Sequence, residues 1–279
     1  MIADEHGGGE SSDENIVGEI RAKANGIIAG TSVVDRLVVQ HFPDCTVTWN
    51  VTEGEGVQSG EQVLNISGPA VQVLRCERIM LNILGRMSGI ATNTAAWVSQ
   101  AGDLGVACTR KTDWGLLDKW SVHVGGGLTH RLSRADALMI KENDLVALAP
   151  GIDEEDVAVA TAVSLIDMDS DAEFTVIEVR DSSQAVAAVK AWDSLQIERS
   201  GCEKIVLLLD NMGPSGCAEV HHILMQENLR SWCILEGSGG VVHEDLGQWI
   251  ESGVDLVSTS ALNRGVSPLD LSMKVVGGD

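Results

Sequence analysis

Basic residues are scarce in this sequence: 19 Lys and Arg stand against 41 Asp and Glu, a formal net charge of -22 at pH 7. Such a chain repels phosphate backbones and anionic lipid, which excludes non-specific nucleic-acid binding and membrane adsorption. Apolar runs are short as well, and none approaches the roughly 20 residues that a spanning helix needs. The opening MIADEHGGGESSDEN is acidic and rich in Gly and Ser, where a secretory signal is basic and then apolar. These absences predict a cytoplasmic protein. The six cysteines never form C-x-x-C, so neither a zinc site nor a disulfide framework is signalled, and apolar neighbours predict buried free thiols. Tyrosine is missing altogether beside seven tryptophans, and nothing in the sequence accounts for it.

What is present is an ordinary globular composition, 44% hydrophobic over 279 residues, enough for one large domain or a medium and a small one. Residues 1–15 offer almost nothing to bury and read as an acidic tail. In 16–105, EIRAKANGIIAG, CTVTWNV and QVLNISG alternate apolar and polar residues between Gly-rich turns, which predicts short strands, with a helix near TSVVDRLVVQHF. A long helix follows over VQVLRCERIMLNILGRMSGIATNTAAWVSQAG, with Met80, Ile83, Leu84, Met87, Ile90 and Ala91 as its buried stripe. Over 106–265 the runs GVAC, ALMI, FTVIEV, KIVLLL, SWCIL and VDLVS alternate with helical stretches, the pattern of a parallel α/β sheet. Residues 266–279 are a C-terminal segment assigned to the N-terminal domain.

Against the acidic background, TRKTDWGLLDKWSVHVGGGLTHR (109–131) is an exception. From Thr109 to Lys141 six Lys or Arg residues face three Asp, a local excess of three positive charges. Arg110, Lys111, His130, Arg131 and Lys141 offer forked and point-charge donors for carboxylates or phosphates. Their mutual repulsion predicts a ligand with two or more negative charges. Lys119, His123 and Arg134 read as surface or supporting groups. The strands also end on polar residues: Lys141, Glu178, Asp210, Ser238-Gly239-Gly240, and Thr259 with Ser260. In a parallel barrel such ends gather at one mouth. A lone strand-end Asp is more often a cap or turn residue, but five polar ends of differing chemistry point to a site. Glu178 and Asp210 suit a hard cation such as Mg²⁺ or a developing positive charge. Ser238, Gly239 and Gly240 suit a phosphate.

TRKT (109–112), GGG with HR (125–131), IKEN (140–143), IEV (177–179), LLDNM (208–212), GSGG (237–240) and the helix ERIMLNILGRMSGIAT (77–92) together resemble the quinolinate phosphoribosyltransferases, of the type II phosphoribosyltransferase family. The similarity runs over about residues 17 to 275. It implies an N-terminal α/β sandwich on an incomplete α/β barrel, in a homodimer with a shared active site, higher oligomers being left open. It implies transfer of phosphoribose from phosphoribosyl pyrophosphate to quinolinate with Mg²⁺, releasing pyrophosphate and carbon dioxide and leaving nicotinate mononucleotide for NAD synthesis. By matching motif, Arg110, Lys111, His130, Arg131 and Lys141 hold the dicarboxylate and the pyrophosphate side, and Arg78 reaches in from the partner subunit. Lys111, Glu178 and Asp210 are the implied catalytic residues, the last two near ribose and metal. Ser238, Gly239, Gly240 and Ser260 take the 5-phosphate.

The chain departs from that family pattern at Leu117, Thr129, Asp144, Ser260 and Arg264, and its loop after TRKT is about two residues short. The rival readings are a nicotinate phosphoribosyltransferase or a molybdenum-cluster relative of the same fold, a non-catalytic phosphonucleotide-binding relative, and a lyase using Lys141 as a Schiff base. The last leaves Glu178, Asp210 and Ser238 unexplained.

Overall fold

The computed structural model describes residues 14–132, 136–167 and 174–276, so Arg134 and most of the acidic tail lie outside the described residues. In chain order the first part carries β1 (Asn15–Ala22), β2 (Gly26–Ile27), α1 (Thr31–His41), β3 (Thr46–Trp49), β4 (Gly56–Val57), β5 (Gln62–Pro69) and α2 (Ala70–Ala101). There follow β6 (Gly105–Cys108), α3 (Leu116–Val124), β7 (Ala137–Ile140), α4 (Glu142–Leu148), α5 (Glu155–Ser164), β8 (Phe174–Val179), α6 (Ser182–Arg199), β9 (Ile205–Asp210), α7 (Gly213–Gln226), β10 (Cys233–Ser238), α8 (Leu246–Glu251), β11 (Leu256–Thr259) and β12 (Leu271–Val275). Two compact units emerge. One takes the chain up to Ala95 with Trp120–Gly126 and everything from Gly265, and the other takes Ala96–Lys119 and Gly127–Arg264.

The first unit is built on a sheet of order β12-β1-β5-β3 in which every pair is antiparallel. Its strands alternate as the sequence predicts, and the inward residues Ile20, Leu64 and Ile66 are fully buried. The helical stripe of α2 supplies Val73, Cys76, Met80 and Leu84 to the same core, and α1 adds Val34 and Val38. Each such aliphatic side chain removed from water is worth about 1.5–3 kcal/mol, enough to hold a 32-residue helix against the sheet. The last strand returns to the first, with Gly18 opposite Val275 and Ala22 opposite Leu271.

The second unit is a six-stranded sheet of order β6-β11-β10-β9-β8-β7, parallel throughout. It is the parallel sheet that the apolar runs imply, and the incomplete barrel that the resemblance implies. Ala137, Val176, Val206 and Leu208 share the inner cluster. The alternate residues Ile177, Leu207 and Leu235 are also fully buried, which is why these strands read as continuous apolar runs. On α6, Ala185, Ala188, Val189 and Trp192 are buried, and the Trp192 indole donates to Glu203 O at 2.8 Å. Five cysteines are buried free thiols, as apolar neighbours predict for most of them, and Cys202 is exposed in the polar stretch that follows α6. Among the described residues no helix is long and apolar enough to cross a membrane.

Candidate active site

Strand register sets the floor of the site. Glu178 and Glu236 both pair with Leu208, and Ser238 pairs with Asp210 on one side and Ser258 on the other. Residues two apart share a face, so Glu236 lies one layer beneath Ser238 as Leu208 lies beneath Asp210. Above this floor opens a cavity of about 680 Å³ that brings together Arg110, Lys111, His130, Arg131, Lys141, Glu178, Asp210 and Ser238. Residues dispersed over 129 positions in the sequence thus meet at the carboxyl ends of the strands, as the fold class requires. Gly239, Gly240 and Ser260 follow the same strand ends but are not among the lining residues. Arg78 is not either: it is on α2, its side chain 74% exposed, 3.9 Å from Glu77.

The cations of the cavity are not bare. Lys141 forms an ion pair with Glu178. His130 Nε2 and Glu236 Oε2 are 2.7 Å apart, and Glu236 is almost wholly buried. Arg131 is only 6% exposed and donates to Met139 Sδ at 3.0 Å and Ala137 O at 3.5 Å. It therefore belongs to the packing as well as to the site. Of the two readings left for Lys119, surface or supporting, the structure gives the second: it is 3% exposed, lines the cavity, and its ammonium donates to Cys108 O at 3.1 Å and Thr129 O at 2.5 Å. Burial pushes Lys119 below its ordinary value of 10.5, Cys108 opposes the shift, and nearby Arg110 and Arg131 add to it. His123 is exposed, as expected of a surface group.

The shortened loop after TRKT is held by a buried carboxylate. Asp118 Oδ2 accepts from Asp113 N at 2.9 Å and Trp114 N at 3.3 Å, and Asn263 Nδ2 lies 3.4 Å from it. The same Asn263 amide donates to Lys111 O at 3.0 Å. The departure at Asp144 also has a local reason, since its carboxylate accepts from Lys141 N at 2.9 Å and caps α4 beside the site.

Sequence reasoning missed Glu236, Asp118 and Asn263. Glu236 alone left a signal, as the one charged residue within the apolar strand CILEGS, two before Ser238. Asp118 and Asn263 act through backbone groups, which no side-chain pattern announces.

Fold and cavity define an α/β-barrel protein with a cation-rich cavity at the carboxyl ends of its strands. Family models agree at both ends of the chain: residues 10–88 match the quinolinate phosphoribosyl transferase N-terminal domain and residues 90–274 match the C-terminal domain. The chain is 31% identical to the protein named "Probable nicotinate-nucleotide pyrophosphorylase (carboxylating)" of Methanothermobacter thermautotrophicus, over 94% of this chain and 89% of that protein. The solved structure of NadC from Streptococcus pyogenes superimposes with a TM-score of 0.77 at 28% identity, covering 95% of this chain and 88% of that one. The nicotinate-nucleotide pyrophosphorylase of Francisella tularensis gives a TM-score of 0.79 at 25% identity, covering 95% and 87%. This chain belongs to the quinolinate phosphoribosyltransferase family.

Proposed function

We propose that the chain transfers phosphoribose from phosphoribosyl pyrophosphate to the ring nitrogen of quinolinate, releasing pyrophosphate and carbon dioxide and leaving nicotinate mononucleotide for NAD synthesis. The observation that carries this is the gathering of Arg110, Lys111, His130, Arg131 and Lys141 over the carboxylates Glu178 and Asp210 in one cavity. A monocarboxylate needs fewer cations than this set provides, which favours quinolinate over nicotinate.

Arg110, Lys111 and Arg131 suit the two ring carboxylates and the pyrophosphate by charge-assisted hydrogen bonds. As the bond from ribose C1 to pyrophosphate oxygen breaks and that from C1 to the ring nitrogen forms, positive charge grows on the ribose. Glu178 and Asp210 are the groups that oppose it, as carboxylates do in glycoside hydrolysis. The C–C bond to the departing carboxylate then breaks, carbon dioxide leaves, and the ring carbon takes up a proton. Cations on the remaining carboxylate hold the ring during that step.

Mg²⁺ fits this donor set as a substrate-borne ion. Among the described residues no cluster of three His, Cys, Asp or Glu could hold a metal alone, but Mg²⁺ commonly needs only one or two carboxylates beside substrate phosphates. Asp210 is engaged through Oδ2 and Glu178 through Oε2, which leaves each a second oxygen. When bound, the ion supplies charge neutralisation of the leaving pyrophosphate. Ser238, Gly239, Gly240 and Ser260 are the proposed 5-phosphate groups. The exposure of Arg78 suits its reaching a site of the partner in a cytoplasmic homodimer.

The test supplies the purified protein with Mg²⁺, phosphoribosyl pyrophosphate and either quinolinate or nicotinate, and measures nicotinate mononucleotide and carbon dioxide. Both products from quinolinate alone are expected. Product from nicotinate alone, or none from either, overturns the reading.

A further inference from the structure

Glu236 is the feature of the cavity that this chemistry leaves without a task. A carboxylate beneath a site for anions opposes them electrostatically, and this one is 1% exposed in the middle of the central strand β10. One oxygen, Oε2, meets His130 Nε2 at 2.7 Å; the other, Oε1, is buried with no hydrogen-bond partner among the described residues. A buried acceptor left unmade costs stability. An apolar side chain of similar size avoids that cost, so the fold alone does not explain why Glu stands here.

His130 is held at similar expense. Its φ is +55°, in the left-handed region that β-carbon-bearing residues seldom occupy. The segment is fastened on both sides of it. Leu128 is bound between the backbones of Val106 and Cys108, Thr129 O receives the Lys119 ammonium, and Arg131 donates to Ala137 O. The ring packs edge-on against Phe174, with centroids 6.2 Å apart. Every local element fixes where the imidazole stands, and the hydrogen bond to Glu236 fixes which of its nitrogens turns inward. With Nε2 turned down to the carboxylate, Nδ1 is the nitrogen left for a ligand, and no described residue bonds it.

We infer that Glu236 is a positioning residue of the dicarboxylate subsite, orienting the His130 ring from beneath without touching substrate itself. This rests on the quinolinate reading above. It makes a prediction opposite in sign to simple electrostatics: removing a negative charge from beneath an anion should tighten its binding, whereas losing the orientation of His130 should weaken it.

The experiment uses the full-length enzyme with Mg²⁺ and the variants Glu236→Leu and Glu236→Gln. The melting temperature, KM for each substrate, kcat, and the ¹⁵N spectrum of labelled histidine are measured. Glu236→Leu is expected to melt no lower than the parent, to raise the quinolinate KM about tenfold while that for phosphoribosyl pyrophosphate stays within about twofold, and to lose the defined Nε2–H signal of His130. Glu236→Gln retains an acceptor for Nε2–H and is expected to recover most of the quinolinate affinity. An unchanged or lower quinolinate KM in Glu236→Leu overturns the inference, as does a lower melting temperature with both KM values rising together. If the parent itself does not use quinolinate, the functional reading fails first, and the histidine spectrum still reports whether Glu236 orients the ring.

Discussion

Gly239 and Gly240 are adjacent, both have positive φ (+96° and +63°), and a methyl group added to each should have very different consequences. At Gly240 a new β-carbon meets nothing within 4 Å, so Gly240→Ala bears only the left-handed backbone penalty, about 1–2 kcal/mol. At Gly239 it would stand 2.2 Å from Asn211 Oδ1 and 2.8 Å from Asn211 Cα, distances that real atoms do not tolerate. Asn211 has little room to retreat, because its own φ is +56°, its N–H donates to Ser238 O at 2.9 Å and its amide donates to Asp210 Oδ2 at 2.7 Å. Overpacking of this kind costs about 1–3 kcal/mol on top of the backbone penalty, giving about 2–5 kcal/mol for Gly239→Ala. Because the displaced residue carries Asp210 with it, the KM for phosphoribosyl pyrophosphate should rise at least about tenfold, the equivalent of 1.4 kcal/mol. Urea unfolding of the two variants, with substrate titrations for Gly239→Ala, tests this. Equal losses of stability in the two, or an unaltered KM in Gly239→Ala, would refute the steric argument.

Other expectations concern single groups. Glu53 accepts from Gly30 N, from Thr31 N and Oγ1, and from Trp120 Nε1. Burial alone would raise its pKa, but these bonds outweigh it and hold the carboxyl below its ordinary 4.5. Its contribution is therefore present above pH 4.5 and lost as pH falls through the lower folded-state value. Glu53→Gln should destabilise the protein by about 1–2 kcal/mol at pH 7, discounted for half exposure, with the gap to the parent closing in acid melts. Arg131→Ala should lower both stability and quinolinate affinity, since the side chain is buried as well as placed for the ligand; loss of affinity with an unchanged melting temperature would show that its packing contributes nothing. Mixing Arg78→Ala with Arg110→Ala protein should restore activity through one intact site per mixed dimer. No recovery after proven subunit exchange would exclude a shared site.

The parallel sheet was legible because strands covered on both faces leave uninterrupted apolar runs, and the residue just past each run is where polar chemistry gathers. Lys141, Glu178, Asp210 and Ser238 were found this way. The long helix was legible because Met80, Ile83, Leu84, Met87, Ile90 and Ala91 recur at helical spacing, and all of them are buried but the half-buried Ile83. Partnerships across the fold were not legible. His130 and Glu236 are 106 residues apart, and Lys111 and Asn263 are 152 apart, so no local window contains both members. Lys119 was left between surface and supporting group for another reason: an amine satisfied by the backbone carbonyls of Cys108 and Thr129 carries no sequence mark that separates it from a solvated lysine.

The return of β12 to β1 has a consequence for the protein's birth on the ribosome. Strand β1 is made before all six strands of the barrel, but its neighbour in the sheet, Leu271–Val275, is made after them. Until they emerge, one edge of β1 stays open to pairing with any other extended chain, while all six strands of the barrel have already been synthesised. The sheet that holds β1 is therefore begun before the barrel and completed after it, with β5 as the neighbour of β1 in the meantime. A chain cut before Leu271 should finish its barrel and still aggregate through the exposed edge of β1.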